Sequence, residues 1–333
     1  MTVRLTVRRP AWRGHLAQYA ASIDGLVPVV KGNGYGFGRA QLLPVAAELA
    51  AQICVGTIHE LVEFPDGAQP VVLTPIVASP QSGDQLGVRL GLPASMPTTT
   101  ILTVGHDQHI QAISSWNTST GWAGAVIIKL RSSMNRYGVS AQQFAPFRLA
   151  VIDQGLSIAG YAIHLPLAGS DDQRRSEIEQ WIRLVPDDAP IWVSHLAPTS
   201  FADLQTAYPA RQFLLRSGTA LWHGDKSMLR LSADVLDTRP VAADDHAGYR
   251  RSVVERNGTL VLIGAGSAHG IVPLSDGSSP FHFARRRLEL VEPPHMHTSM
   301  ALVSGGAIPS VGDRIDVQRP LTMTQVDEVE WMT

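Results

Sequence analysis

Short apolar segments alternate with longer segments of helical periodicity through the first two-thirds of the chain, and this alternation limits the possible folds most strongly. The apolar segments are rich in β-branched residues, as buried strands are. Eight are found, at residues 27–30, 53–56, 70–76, 99–104, 123–130, 156–165, 191–195 and 213–216. Helical patterns lie at residues 40–52, 106–116, 141–154, 171–185 and 200–208. Apolar strands separated by helices predict a covered parallel sheet, and eight such units favour a (β/α)8 TIM barrel over the alternative, a doubly wound open sheet.

Beyond residue 228 the pattern changes to shorter apolar segments separated by turn signals. These segments lie at residues 229–236, 258–266, 285–294, 300–305 and 311–317. The dipeptide Asn257–Gly258 is typical of tight turns. The change predicts a barrel over residues 10–225 and a smaller, mostly-β C-terminal domain over residues 226–333. The alternating residues 1–9 are a candidate strand of this second domain.

The composition favours an ordinary globular protein with a small-molecule partner. Of the 333 residues, 44% are hydrophobic and 17% are charged. A net charge of −2 offers no broad positive surface for nucleic acid or an anionic membrane. The single cysteine, Cys54, excludes an intramolecular disulfide and a multi-cysteine metal site. The sequence has neither a signal-peptide pattern nor a long apolar span, so we expect a cytoplasmic protein.

Cationic and polar residues lie where the predicted barrel strands end. They are Lys31, Lys129, Arg136, His164, Ser194, His195 and Arg216. Taken singly, each has an ordinary explanation, since a strand-end lysine is often solvated and a histidine is often a packing residue. In a (β/α)8 barrel, however, the carboxyl ends of all strands meet on one face, where active sites form. The set therefore predicts a face that attracts an anionic cofactor or substrate.

Four glycines at alternate positions follow Lys31 in the segment VVKGNGYGFG. They either permit a tight turn or let backbone N–H groups approach a phosphate. The spacing matches neither the dinucleotide-binding fingerprint nor the P-loop, so nucleotide binding is poorly supported. A second small-residue stretch, RSGTALWHG at 216–224, follows the eighth strand, where barrels often bind phosphate. A first-strand lysine opposite such a site is the layout expected for a pyridoxal phosphate Schiff base.

These segments resemble the alanine racemase family of pyridoxal phosphate enzymes. VVKGNGYGFG is similar to the family's lysine signature, which implies that Lys31 binds the cofactor covalently and that Tyr35 contacts its phosphate. KLRSSMNRYG resembles the segment in which Arg136 would hold the substrate carboxylate, and it places Lys129 where many members carry a carbamylated lysine. IHLPLAG, VSHLAPTS and RSGTAL resemble further cofactor-binding segments. The cofactor-binding residues that they imply are His164, His195, Thr199, Gly218, Thr219 and Arg216, the last facing the pyridine nitrogen.

The resemblance extends into the predicted β domain. HAGYRRS is similar to the segment that carries the family's tyrosine base, which implies Tyr249 as a catalytic residue. HMHTSM places Met296 where a backbone group meets the substrate carboxylate. The family forms a head-to-tail homodimer in which this tyrosine enters the partner's active site. The resemblance therefore implies an amino-acid racemase in which Lys31 and Tyr249 act on opposite sides of the substrate α-carbon.

Three segments depart from the family pattern. GSAHG at 266–270 stands where the family has GYADG, His297 replaces an aspartate, and Arg131 lies where an aspartate is usual. The first change removes an aromatic ring and predicts a wider pocket, which leaves the identity of the substrate amino acid open. His295 and His297 form an HxH pair that could bind zinc with His269. No cysteine or obvious carboxylate accompanies the pair, so we expect no metal.

Two other functions compete with the racemase. A fold type III amino-acid decarboxylase generally uses a cysteine of its β domain, whereas Cys54 lies in the predicted barrel. A racemase-like protein that binds the cofactor without catalysis would also explain the departures. Three outcomes would separate these functions. Proton exchange at the substrate α-carbon with inversion indicates a racemase, carbon dioxide release indicates a decarboxylase, and neither event indicates a cofactor-binding protein.

Overall fold

A computed structural model of the chain describes residues 2–62, 64–77, 97–120, 122 and 124–333, with the backbone alone for residues 115–120. The chain forms two compact units. The first, here called the barrel unit, comprises Leu16–Gly32 and Arg39–Trp222. The second, the β unit, comprises the residues up to His15, Asn33–Gly38 and His223–Thr333.

Eight parallel strands form the barrel unit, as the sequence predicts. After β1 (Val3–Arg8), which belongs to the β unit, they are β2 (Leu26–Pro28), β3 (Gln52–Val55), β4 (Gln69–Val72), β5 (Ile101–Val104), β6 (Ala125–Leu130), β7 (Ser157–Ile163), β8 (Ile191–Ser194) and β9 (Phe213–Ser217). Neighbours in the sheet follow chain order from β3 to β9, and β9 pairs with β2. A parallel bridge between Val29 and Cys54 joins the last two edges. The sheet is therefore a nearly closed barrel, and the open-sheet alternative is wrong. Ala123, in the fifth predicted strand, lies outside the described residues.

Apolar side chains from seven of the eight strands, together with one that follows β2, fill the inside of the barrel. The cluster consists of Val27, Val29, Cys54, Val71, Ile101, Ile127, Ala162 and Trp192. None is more than 6% exposed, so the barrel is a packed core and not a channel. Trp192 is the largest member, and Gly160 of β7 makes room for it. A Cβ atom added at Gly160 would lie 2.3 Å from the indole Nε1.

Helices accompany most of the barrel strands. They are α1 (Arg9–Ala21), α2 (Arg39–Leu49), α3 (Asp107–Thr120), α4 (Ala141–Asp153), α5 (Asp171–Ile182), α6 (Pro198–Ala207) and α7 (Thr219–His223). Helices α2 to α6 confirm the five predicted helical segments, whereas α1 and α7 were not predicted. Capping boxes start α4 and α5, where the side chains of Ser140 and Ser170 each accept a hydrogen bond from a first-turn N–H. Within the described ranges, no helix has the length and apolar character needed to cross a bilayer.

A long strand, β10, organises the β unit. The strands are β10 (Leu229–Val241), β11 (His246–Ala247), β12 (Ser252–Val253), β13 (Gly258–Ile263), β14 (Phe281–Phe283), β15 (Arg286–Arg287), β16 (Glu289–Leu290), β17 (Ser299–Val303), β18 (Arg314–Val317) and β19 (Glu328–Met332). Strand β10 pairs antiparallel with β1, β13 and β18. Strand β1 also pairs with β19, in parallel. The candidate N-terminal strand is thus part of this sheet.

The segment Asn33–Gly38, which directly follows Lys31 and Gly32, packs within the β unit. The Asn33 side chain donates hydrogen bonds to the carbonyls of Leu321 and Thr324, at 2.7 and 2.8 Å. Gly36 has φ of 91°, and a Cβ there would lie 2.9 Å from the Leu321 Cβ. The glycines after Lys31 therefore serve close backbone packing at this position.

Candidate active site

Four basic side chains occupy the carboxyl end of the barrel. Lys31 follows β2, Lys129 lies in β6, Arg136 lies in the loop after β6, and Arg216 lies in β9. The positive charges of Arg136 and Arg216 act on both lysines, so the structure brings these residues together. Such a concentration of positive charge suits an anionic ligand.

Lys31 has an environment that favours a neutral amine. Part of its side chain is exposed, but loss of hydration, followed by the charges of Arg136 and Arg216, lowers the pKa of Lys31. Gly56 leaves space beside it, since a Cβ there would lie 3.2 Å from the Lys31 Cβ. Glu60 accepts hydrogen bonds from the N–H groups of Gly32 and Gly56, at 3.1 and 2.7 Å, and holds the two strand ends. A lowered pKa increases the share of amine able to act as nucleophile or base.

Tyr137 is a further site residue, which the sequence patterns did not predict. The Lys129 Nζ lies 5.8 Å from the centroid of the Tyr137 ring, and the Arg136 Cζ lies 5.0 Å from it. The tyrosine hydroxyl donates to the Leu73 carbonyl at 3.2 Å. Lys129 is only 4% exposed, and burial, followed by the charges of Arg216 and Arg136, lowers its pKa well below the usual value. An aromatic residue directly after Arg136 was the available signal, because a ring stabilises cations on its face.

Arg216 presents a buried donor without an acceptor. The residue is 7% exposed, and its Nη2 donates to the Ile163 carbonyl at 2.6 Å. Among the described residues, its Nε has no hydrogen-bond partner. An unpaired buried N–H costs about 1–3 kcal/mol. The position therefore suits a ligand that supplies an acceptor.

His164 and His195 lie side by side after β7 and β8, with ring centroids 4.6 Å apart. Ser194 Oγ lies 2.9 Å from His164 Nδ1, and His195 Nδ1 donates to the Leu165 carbonyl at 2.6 Å. Burial, followed by the charge of Arg216, lowers the pKa of His164 to about 2. Burial also lowers the pKa of His195, whose φ of 61° is unusual for a residue with a side chain. Both rings are therefore neutral at pH 7.

The three remaining barrel candidates lie at helix starts. Thr199 is in the first turn of α6, Gly218 precedes α7, and Thr219 is the first residue of α7. The two threonines are exposed. These helices follow β8 and β9, so their first residues lie at the carboxyl end of the barrel. First-turn N–H groups lack intrahelical acceptors, which suits the binding of an anion.

Tyr35 belongs to the β unit and not to the barrel unit that contains Lys31. It is buried, and its φ of 56° lies in the left-handed region. His223 Nε2 donates to the Tyr35 carbonyl at 2.8 Å, and the two rings meet edge to face at 6.0 Å. The motif that begins at Lys31 thus contributes residues to both units.

Tyr249 lies in the turn between β11 and β12 of the β unit and is 87% exposed. Its N–H donates to Glu292 Oε1 at 2.8 Å, and the Arg250 N–H donates to Glu292 Oε2 at 3.0 Å. The His295 ring lies 4.4 Å from the Tyr249 ring, centroid to centroid. Glu292 could not be predicted from the sequence, because a glutamate between a valine and two prolines carries no local signal of burial.

Met296 lies in an exposed loop that packs against the GSAHG segment. Its carbonyl accepts from the Ala268 N–H at 2.8 Å, and the His295 carbonyl accepts from the Ser267 N–H at 2.7 Å. Two segments that depart from the family pattern are therefore adjacent. The Met296 N–H makes no hydrogen bond with the described residues, so it is available to a ligand.

The histidines of the zinc alternative do not converge on one point. His295 Nε2 contacts Glu292, whereas His269 Nε2 lies 3.5 Å from Asp327. His297 lies near His269, with ring centroids 5.9 Å apart. In the described part of the chain, no three His, Cys, Asp or Glu side chains are arranged to hold a metal ion.

Arg131 interacts with its own loop. Its Nε donates to the Gly138 carbonyl at 3.2 Å, and its Nη2 lies 3.4 Å from Gln143 Oε1. The guanidinium therefore spans the loop that carries Arg136 and Tyr137.

The sequence matches a known protein family. A family model described as alanine racemase, N-terminal domain, matches residues 12–225. The chain belongs to the alanine racemase family. No curated protein matches this sequence.

Solved alanine racemases have the same fold along the whole chain. The enzyme from Bartonella henselae, solved with covalently bound pyridoxal phosphate, has a TM-score of 0.73 and 16% identity, covering 100% of both chains. The Streptomyces lavendulae enzyme has a TM-score of 0.72 and 16% identity, and the match covers 100% of this chain and 97% of that one. The biosynthetic enzyme from Pseudomonas aeruginosa has a TM-score of 0.66 and 18% identity, and the match covers 100% of this chain and 99% of that one. At these identities the likeness concerns the fold.

Proposed function

We propose that this protein is a pyridoxal phosphate-dependent racemase that interconverts L- and D-alanine or another amino acid. Membership of the alanine racemase family supports the proposal. The observation that carries it is the cationic end of the barrel, where the lowered pKa of Lys31 and the unpaired Nε of Arg216 occur together.

The residues at this end suit the cofactor. Lys31 would bind its aldehyde covalently, and Arg216 Nε would donate to the pyridine nitrogen. The proposed phosphate and ring contacts are Tyr35, His164, His195, Thr199, Gly218 and Thr219. When bound, the cofactor withdraws electrons from the substrate α-carbon, and an arginine that keeps its own proton makes the ring a weaker electron sink than a carboxylate would.

Racemisation requires a base on each face of the α-carbon. We assign Lys31 to one face and Tyr249 to the other, so that one removes the proton and the other returns it. Arg136 and the free N–H of Met296 would hold the substrate carboxylate. Lys129 would act through Arg136, since both side chains lie against the ring of Tyr137.

Isotope exchange tests the reaction. The holoenzyme would be incubated in deuterated water with each L- and D-amino acid. Inversion with deuterium at the α-carbon is the expected result. Carbon dioxide release would instead identify a decarboxylase, and neither event across all amino acids would identify a cofactor-binding protein.

The covalent site can be mapped separately, because the chain has only three lysines. Borohydride reduction followed by peptide mapping should find the cofactor on Lys31. Lys31→Ala should abolish this attachment and the activity, whereas Lys226→Ala, at an exposed lysine of the β unit, serves as the matched control. Attachment that persists in Lys31→Ala would refute the assignment.

We also propose a head-to-tail homodimer in which each Tyr249 serves the barrel of the other subunit. Mixing inactive Lys31→Ala and Tyr249→Phe chains under subunit exchange should then restore activity. Each mixed dimer would contain one site with both bases intact. No recovery, with exchange verified by mass spectrometry, would place both bases on the same chain.

A further inference from the structure

A buried carboxylate lies beneath the exposed Tyr249. The Glu292 side chain is 3% exposed. Its two oxygens accept hydrogen bonds from the N–H groups of Tyr249 and Arg250, at 2.8 and 3.0 Å. Its Oε1 also contacts His295 Nε2. A buried charge is costly unless it is paired and hydrogen-bonded, and these three partners meet that requirement.

The charge state of Glu292 follows from the same contacts. Burial would raise the pKa of its carboxyl, but the hydrogen bonds from His295 and from the Arg250 and Tyr249 backbones outweigh burial and lower it. The group is therefore a carboxylate at neutral pH. It can accept from both N–H groups and from His295 at the same time.

Gly248 permits this close approach. Its φ is 76°, and a Cβ atom there would lie 1.8 Å from Glu292 Oε1. No larger residue fits while the carboxylate stays in place. The Gly–Tyr pair in HAGYRRS thus lets the backbone before the tyrosine reach a buried anion.

His295 links the carboxylate to the tyrosine ring. Its Nε2 contacts Glu292, and its ring lies 4.4 Å from the Tyr249 ring at an interplanar angle of 44°. Glu292 thereby fixes the Tyr249 backbone directly and the ring through His295. An exposed side chain otherwise retains its rotamer freedom.

We propose that Glu292 and His295 are positioning residues that hold the Tyr249 phenol in its catalytic orientation. This inference rests on the proposed racemase function. It adds two residues of the β unit to the machinery, and neither touches the substrate in this assignment.

Glu292→Gln is the principal test. The amide oxygen can replace one carboxylate oxygen, but the amide nitrogen then faces an N–H donor, so one hydrogen bond is lost. A displacement of about 1 Å at a catalytic group costs about 100-fold in rate. We expect kcat to fall about 10–100-fold while KM changes little. Glu289→Gln, at an exposed glutamate three residues earlier, is the matched control.

The decisive readout separates the two bases. Racemisation in either direction needs both, whereas removal of the proton that faces Lys31 needs only that lysine. Glu292→Gln should therefore still exchange the α-proton of one enantiomer for deuterium without inversion, as Tyr249→Phe should. A purely structural defect would lower exchange and racemisation in proportion and would overturn the proposal, as would unchanged kinetics.

His295 variants resolve the two contacts. His295→Phe keeps a ring beside Tyr249 but cannot donate to Glu292, and His295→Ala removes both contacts. We expect a graded loss of racemisation, larger for alanine. Equal activity in both variants and the wild type would exclude His295. A wild-type protein without α-proton exchange would refute the racemase itself, which is a different result from an active enzyme that tolerates Glu292→Gln.

Discussion

Replacing Gly160 by alanine should destabilise the barrel from its centre. The added Cβ would lie 2.3 Å from Trp192 Nε1, 2.7 Å from its Cδ1 and 2.9 Å from the Pro190 carbonyl oxygen. Non-bonded atoms pack at about 3.5–4.0 Å, so the indole must move by about 1 Å. Trp192 has no exposed surface and is enclosed by the barrel cluster, which leaves it no free direction.

The expected cost is that of overpacking a close-packed core, about 1–3 kcal/mol. For a unit of this size each kcal/mol lowers the melting temperature by about 2–4 °C, so the midpoint should fall by about 2–12 °C. Unfolding in urea, followed by circular dichroism, measures the same loss as a lower midpoint concentration at unchanged slope.

Gly14→Ala is the matched control for the same chemical change. Gly14 lies within α1, and a Cβ there would meet no atom within 4 Å. Alanine is favoured over glycine in a helix by about 0.5–1 kcal/mol, so this variant should be more stable than the wild type. A Gly160→Ala protein with an unchanged midpoint, or effects of the same sign at both positions, would refute the packing argument.

Three further predictions concern the barrel end. Burial raises the pKa of the Cys54 thiol to about 12, so a thiol reagent should label the protein only after unfolding. Labelling of the native protein at the rate of a free thiol would contradict this prediction. Burial and neighbouring cations favour a neutral Lys129, so we expect this lysine to be carbamylated. Removing bicarbonate should then lower activity, and adding bicarbonate back should restore it. Lys129→Ala should abolish this dependence on bicarbonate. His164 has a native pKa of about 2 and an ordinary pKa of 6.5, so below pH 6.5 only the unfolded chain takes up its proton and the free energy of unfolding falls as pH falls. Urea titrations from pH 7 to 5 measure how steeply the free energy of unfolding falls with pH. In His164→Asn this dependence should be weaker than in the wild type, by up to about 1.4 kcal/mol per pH unit. The same dependence in both proteins would contradict the prediction.

The barrel could be predicted from sequence because each of its strands is a local pattern. Runs such as residues 125–130 are apolar on both faces, and a helical pattern follows them in the chain. Helix α1 was missed because its sequence RPAWRGHLAQYAA contains a glycine and directly continues a strand. Strand β19 was missed because its partner, β1, lies 324 residues away, and no local pattern reports that pairing.

The candidate site could be predicted only in part, for a related reason. Lys31, Lys129 and Arg216 could be identified because several apolar strands end in a basic residue and the carboxyl ends of all barrel strands meet on one face. Glu292 resembles a surface glutamate in sequence, and it is buried only because the backbone at Gly248 approaches it. Tyr137 stands beside Arg136 in the sequence, yet its contact with Lys129 depends on how the loop after β6 folds back.

The position of β1 has a consequence for biosynthesis. Strand β1 is made before its partners, because it pairs with residues of β10 that lie up to 230 positions later and with residues of β19 that lie 324 positions later. One edge of β1 stays unpaired until β10 has been made and the other until β19 has been made, and exposed strand edges promote aggregation. Folding of this protein in a cell should therefore depend on chaperones that shield β1, and chains truncated before residue 328 should be less soluble than the full sequence.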